Sequence, residues 1–143
     1  MKRKGQAVWR GAGKDGNGTL TTPSGVLNDT PYSATLRFEN EDGRAGTNPE
    51  ELIAAAHAGC FAMALAFQLA NAGVTAEELD TSAEIDMQKG DSGWAIKAVH
   101  LTLRARVPGI DKAKFDELAK AAKEGCPVSR VLNADITMDA TLV

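Results

Sequence analysis

The stretch that decides the fold is Asn48-Pro49-Glu50-Glu51-Leu52-Ile53-Ala54-Ala55-Ala56-His57-Ala58-Gly59-Cys60-Phe61-Ala62-Met63-Ala64-Leu65-Ala66-Phe67. It opens as a helix should. Asn48 suits the N-cap, Pro49 the first helical position, and Glu50 and Glu51 the positive end of the peptide dipoles. Asn71 and Gly73 supply the stop. From Leu52 to Phe67, 14 of 16 residues are apolar, with only His57 and Gly59 between them. A helix apolar all round is expected to be buried on all sides. From Asn48 to Asn71 it spans about 36 Å, against a radius of gyration of about 14–15 Å for a domain of this size. One chain has too little else to cover such a helix, so a second copy is expected to finish the job across a large apolar interface. A transmembrane reading is disfavoured, because the run is short and rich in Ala.

Outward from this helix the pattern is β. Upstream, Gly11, Gly13, Gly16, Gly18, Pro23 and Gly25 punctuate short runs at 6–9 and 19–22, the mark of a meander of short strands. Tyr32, Ala34, Leu36 and Phe38 alternate with Ser33, Thr35, Arg37 and Glu39, which predicts a longer strand over 32–39. Residues 40–48 read as a polar loop. Downstream, Ala83, Ile85 and Met87 alternate with polar residues, and a turn at 89–93 leads to a strand with Val99, Leu101, Leu103, Ala105 and Val107 on one face. A second helix follows from an Asp111 cap, with Phe115, Leu118, Ala119 and Ala122 on its stripe and Gly125 as its stop. Residues 127–132 read as a short helical turn. A last strand carries Ile136, Met138, Ala140 and Leu142. Strands and helices do not alternate one by one, so the class is α+β, in a single domain over residues 1–143.

The bulk properties narrow the function. The chain has 143 residues, a net charge of −3 and 5% aromatics. That excludes a protein built mainly to bind nucleic acid or an anionic membrane. No apolar signal core follows Met1–Lys4, so the expected location is cytoplasmic. There the two cysteines are expected to be free, catalytic or redox thiols.

Cys60 lies in the apolar run and reads either as a small buried hydrophobe or as a reactive thiol. Cys126 falls between Gly125 and Pro127, where one helix stops and the next turn begins, a place that lowers a thiol pKa. At about 100° per residue, Glu50 shares a face with His57 and lies about 80° from Cys60, whereas Glu51 is on the opposite side. Glu50 is therefore the carboxylate better placed near the thiol. The alternative for both glutamates is plain stabilisation of the helix start. His57, one turn before Cys60, suggests a metal site with Cys126, but paired CxxC or HExxH spacing is lacking. His100 falls on the polar face of its strand. Neither GxGxxG nor GxxxxGK[ST] occurs, so phosphate binding has little support.

At Gly46-Thr47-Asn48-Pro49-Glu50-Glu51-Leu52, Ala54-Ala55-Ala56-His57-Ala58-Gly59-Cys60-Phe61 and Gly125-Cys126-Pro127-Val128-Ser129 the chain resembles the OsmC/Ohr family. This is the family of osmotically inducible protein C and the organic hydroperoxide resistance proteins. His57 and the run 128–132 resemble the OsmC branch. The resemblance implies two β-sheets around two long central helices, in an intertwined homodimer with sites at the interface. It implies a thiol peroxidase of oxidative and osmotic stress defence that reduces organic hydroperoxides, and hydrogen peroxide more weakly. Cys60 is then the peroxidatic thiol, Cys126 the resolving thiol, Glu50 the active-site carboxylate, and Arg37 the best match for the catalytic arginine, with Arg10 and Arg44 as alternatives. The implied reductant is a dithiol, dihydrolipoamide or a lipoylated protein, or a thioredoxin-like protein. No metal, haem or flavin is expected. Phe61, Met63 and Ala64 are the expected apolar lining near Cys60. Two other functions fit the same residues: a dimeric binding protein for small apolar ligands, and a structural stress protein whose thiols only pack.

Overall fold

The structure, a computed structural model, describes residues 1–40 and 44–143; positions 41–43 of the expected polar loop lie outside the described residues. The chain forms two compact units, Met1–Leu52 and Ile53–Val143.

The first unit holds the expected meander. Strands β1 (Gln6–Arg10), β2 (Asn17–Thr21) and β3 (Thr30–Ser33) make an antiparallel sheet in that order. Gly18 of β2 pairs with Trp9 on one side and Tyr32 on the other, and those two rings approach to 5.2 Å. The expected strand over 32–39 is corrected. It ends at Ser33, and Ala34–Phe38 forms a short helix, α1. The cause is local: the Ser33 hydroxyl accepts the Leu36 amide at 3.0 Å, and the Glu39 amide reaches the Thr35 carbonyl at 2.9 Å. A serine cap competes well against a strand ladder over so short a window.

The long helix α2 runs Pro49–Asn71. Its cap is the expected one, with Asn48 Oδ1 accepting the Glu51 amide at 2.8 Å. It ends at Gly73, whose φ of 79° lets the Val74 amide turn back to the Leu69 carbonyl at 3.0 Å.

In the second unit β4 (Glu78–Gly90) and β5 (Gly93–Arg106) form a long antiparallel hairpin, and β6 (Asp135–Leu142) adds parallel to β5. A parallel neighbour requires a crossover, here α3 (Lys112–Gly125) and α4 (Pro127–Val131). Asp111 caps α3 through the Lys114 amide at 2.9 Å. The core is the face predicted for β5 with the predicted stripe of α3. Leu101, Leu103, Ala105 and Val107 pack with Phe115, Leu118, Ala119 and Ala122, and with Phe61, Leu65 and Leu69 of α2.

As expected of a single chain, α2 is covered on one side only. Its buried residues are His57, Phe61, Leu65 and Leu69, one stripe at a spacing of four. On the opposite side Met63 is 63% and Phe67 65% exposed. The expected shortness is corrected: by length and composition α2 is apolar enough to cross a membrane, with a mean hydropathy of 1.7 over 18 residues. Phe61, Leu65 and Leu69 on its buried stripe pack in the core cluster of the second unit.

Candidate active site

The two cysteines meet within the second unit. Cys60 is delivered by α2, one residue before the core Phe61, and is half-buried. Cys126 is fully buried. It is the hinge between α3 and α4: its amide still bonds the Ala122 carbonyl at 2.9 Å, while its carbonyl accepts the Arg130 amide at 3.0 Å. Pro127 follows as the first residue of α4, where a missing N–H costs nothing. Both thiols are free, and their sulfurs are 3.0 Å apart. A disulfide has its sulfurs at about 2.05 Å, so a closure of roughly 1 Å joins residues separated by 66 positions.

The pair is electrostatically unequal. Burial pushes the Cys60 thiol up, its hydrogen bond with Cys126 pushes it further, and the Val128 amide offsets only part of this. Burial also acts upward on Cys126. There it is outweighed by the contact with Cys60 and by the nearby polar groups of Ser129 and Val128 at the start of α4, so the thiol lies below its ordinary value. With both thiols neutral Cys126 donates to Cys60.

Ser129 and His57 are the buried polar side chains of the described residues. They bond each other, His57 Nε2 to Ser129 Oγ, at 2.7 Å. Burial holds the imidazole below its ordinary pKa. The sequence pattern did not single out Ser129 as a site residue, and it connected His57 to the cysteines only as a possible metal ligand. The two lie 72 positions apart and no spacing rule joins them. Among the described residues no group of three His, Cys, Asp or Glu side chains is placed to hold a metal ion.

In the first unit Arg37 and Glu50 form a two-pronged ion pair. Arg37 Nε donates to Oε2 at 3.0 Å and Nη2 to Oε1 at 2.5 Å. Such a fork fixes the guanidinium plane. The structure thus gives Glu50 to Arg37. Arg10 closes β1, opposite Asn17. Glu51 accepts from the Thr47 hydroxyl instead and belongs to the helix start, as its angular position predicts. Arg37 also borders a pocket of about 140 Å³ walled by Trp9, Tyr32, Phe38 and Pro49. Of the apolar residues expected near Cys60, Phe61 is corrected: it is fully buried in the core and lines no open surface. His100 is partly exposed and partnered, by Thr137 Oγ1 at 2.7 Å and Asp139 at 3.3 Å.

Residues 40–141 match the family model described as OsmC-like protein. The chain is 52% identical over 142 residues to Peroxiredoxin OsmC of Escherichia coli (strain K12), covering 99% of this chain and 97% of that protein. It is 31% identical over 126 residues to the organic hydroperoxide resistance protein OhrB of Bacillus subtilis (strain 168), covering 85% and 88%. The crystal structure of OhrB of Bacillus subtilis superposes with a TM-score of 0.70 at 28% identity, over 96% of this chain and 98% of that one. An OsmC-like protein of unknown function from Vibrio cholerae shares the fold, with a TM-score of 0.78 at 15% identity over 99% of both chains. A thiol pair brought together by α2 and the α3–α4 hinge, in a chain that matches the family model over most of its length, therefore belongs to a member of the OsmC family.

Proposed function

We propose that this OsmC-family peroxidase reduces organic hydroperoxides to alcohols in the cytoplasm through a Cys60 sulfenic acid and a Cys60–Cys126 disulfide. The observation that carries the reading is the 3.0 Å approach of two free thiols, one half-buried and one fully buried. The more accessible sulfur meets the peroxide; the buried one resolves the product. The names of the relatives, a peroxiredoxin and an organic hydroperoxide resistance protein, support the substrate class.

The reaction balances on these residues and a dithiol. The Cys60 thiolate attacks the terminal peroxide oxygen, the O–O bond breaks, and the alkoxide leaves and takes up a proton as the alcohol. Cys60 becomes a sulfenic acid. The Cys126 thiolate then attacks that sulfur, and hydroxide leaves as water once protonated. A dithiol such as dihydrolipoamide, free or on a lipoylated protein, or that of a thioredoxin-like protein, returns both sulfurs to thiols.

Cys60 needs help to ionise, because burial and Cys126 both push it up. In this reading Arg37, held flat by Glu50, is the cation that steadies the thiolate and the departing alkoxide. The residues of α2 nearest Cys60, with Met63 and Ala64 among them, supply an apolar place for an organic tail. A buried CH₂ stabilises by about 0.8 kcal/mol, so three such groups give roughly 2.4 kcal/mol, well over tenfold in kcat/KM. The whole chain acts as one domain, and a homodimer covers the exposed Met63 and Phe67 face of α2. No metal, haem or flavin takes part.

The test is peroxide consumption with dihydrolipoamide as reductant, run with cumene hydroperoxide and hydrogen peroxide side by side. The expected result is turnover with a higher kcat/KM for the organic substrate, abolished by Cys60→Ser in a folded protein. Equal or better kcat/KM for hydrogen peroxide refutes the preference, and substantial activity in Cys60→Ser refutes the assignment.

A further inference from the structure

A dithiol that reduces the Cys60–Cys126 disulfide must come to rest against the second unit, where Cys60 is half-buried and Cys126 fully buried. Cys126 caps the start of α4. Along that turn Pro127, Arg130 and Val131 are all exposed. Residues three and four apart on a helix are neighbours, so these three share one face. Ser129 points the other way and is buried. A single turn of chain thus hides the thiol and presents a second surface beside it.

That surface is a shallow hollow of about 330 Å³ lined by Pro127, Arg130 and Val131. Its chemistry is mixed. Val131 is 77% exposed, and with the Pro127 ring it offers bare apolar area. Arg130 adds a guanidinium that, among the described residues, forms no ion pair with a carboxylate. A cation in the last turn of a helix stabilises it, and that accounts for the charge. It does not account for the apolar pair on either side of it. An apolar strip with a guanidinium fits an alkyl chain that ends in a carboxylate, because the chain loses water on the strip and the carboxylate matches the arginine fork. The place is also right. The Arg130 amide donates to the Cys126 carbonyl at 3.0 Å, so the two residues are one turn apart, roughly 5–6 Å between Cβ atoms. The Cys60 sulfur lies 3.0 Å beyond that of Cys126.

We propose that the outer face of α4 is the docking site for a small dithiol reductant that carries its own carboxylate: Arg130 takes the carboxylate, Pro127 and Val131 take the alkyl chain, and the dithiol end reaches the disulfide. The proposal rests on the reaction above. A thiolate of the reductant attacks the half-buried Cys60 sulfur, since Cys126 is fully buried. The Cys60–Cys126 bond breaks, and its electron pair goes to Cys126, which takes up a proton. The second thiol of the reductant loses its proton and attacks the reductant's own sulfur in the mixed disulfide, and Cys60 leaves as a thiolate. Two electrons have passed to the protein, and the reductant departs as a cyclic disulfide. A dithiol whose carboxyl group is tied up in an amide, as on a lipoylated protein, has no charge to offer Arg130 and gains nothing from it.

Dihydrolipoate and dihydrolipoamide are a matched pair of probes, the same dithiol with a carboxylate or with a neutral amide. The full chain is oxidised with cumene hydroperoxide, freed of excess peroxide, and mixed with each dithiol, and the second-order rate of disulfide loss is followed by mass spectrometry. The unsubstituted chain is expected to react about threefold faster with dihydrolipoate, the scale of an exposed ion pair, and high salt is expected to erase the difference. Arg130→Gln is expected to bring the ratio of the two rates to about one and Arg130→Glu to invert it, while Arg130→Lys keeps dihydrolipoate the faster. The ratio compares two dithiols on one protein, so a general structural effect of a substitution cancels from it. Equal rates in the unsubstituted chain overturn the proposal, as does a ratio that survives Arg130→Gln. Failure of cumene hydroperoxide to form the disulfide overturns the peroxidase reading instead. The disulfide is then made with diamide and the same ratio is read, which keeps the two failures apart.

Discussion

At Cys126 burial pushes one way, the contact with Cys60 and the nearby polar groups of α4 push the other, and the second influence wins. Cys60, raised by burial and by its contact with Cys126, stays above its ordinary value, so in the proposed reaction it depends on a cation from elsewhere. Arg37→Ala is expected to slow sulfenic acid formation by about 10²-fold, the scale of losing one donor to a developing charge, with little effect on melting temperature. Stopped-flow measurement of the first turnover checks it, and an unchanged rate points to Arg10 or Arg44 instead. His57 gives a pH prediction. Its folded pKa lies below the ordinary 6.5 because burial penalises the charged ring. Between the folded and unfolded values the unfolded chain binds more protons. This contribution is therefore complete above about 6.5 and is lost as pH falls toward the folded value, at no more than about 1.4 kcal/mol per pH unit. Denaturation midpoints between pH 7.5 and 5 are expected to fall, and His57→Gln to flatten that part of the profile. Of the candidate residues, Cys126 carries a local signal, a helix stop followed by Pro127, and Glu50 an angular one, whereas Cys60 stands out only through its match to the family motif. Ser129 carries no such signal, because its partner lies 72 positions away and only the packing of α4 on α2 brings them together.

Among the elements, those with long and regular patterns were read correctly. The alternation from Val99 to Val107 and the stripe of α3 are the core faces, and the caps at Asn48 and Asp111 hold. The segment 32–39 was misread because five residues of helix and five of strand share the same sparse apolar pattern, and the Ser33 cap decided between them. The difference matters to the site, since it places Arg37 in the last turn of α1 rather than on a sheet face. The meander that leads into α1 depends on Gly18. A Cβ there lies 2.1 Å from the Val8 carbonyl oxygen and 2.6 Å from the Tyr32 ring, and the backbone atom cannot yield cheaply. Gly18→Ala is expected to destabilise by about 1–3 kcal/mol, as overpacking does. A denaturant titration checks this, and a change within experimental error means that β1 and β3 shift without cost.

On the scale of the whole molecule, the composition of α2 announced a helix with more apolar surface than one chain covers. The structure refines this to one buried stripe and an opposite side with Gly59, Met63, Ala66 and Phe67 exposed. Met63 and Phe67 are one turn apart, so they form a continuous ridge. The proposed homodimer buries that ridge. Sedimentation equilibrium is expected to give twice the 15.0 kDa chain mass, and Phe67→Glu to shift the population toward monomer, while a monomeric unsubstituted chain refutes the dimer. The central claim, that two thiols from distant parts of the chain form one redox couple, is tested most directly by mass spectrometry after one equivalent of cumene hydroperoxide. The account predicts an intramolecular Cys60–Cys126 disulfide in the unsubstituted chain and a Cys60 sulfenic acid that persists in Cys126→Ser. Two cysteines left as free thiols after peroxide treatment contradict it.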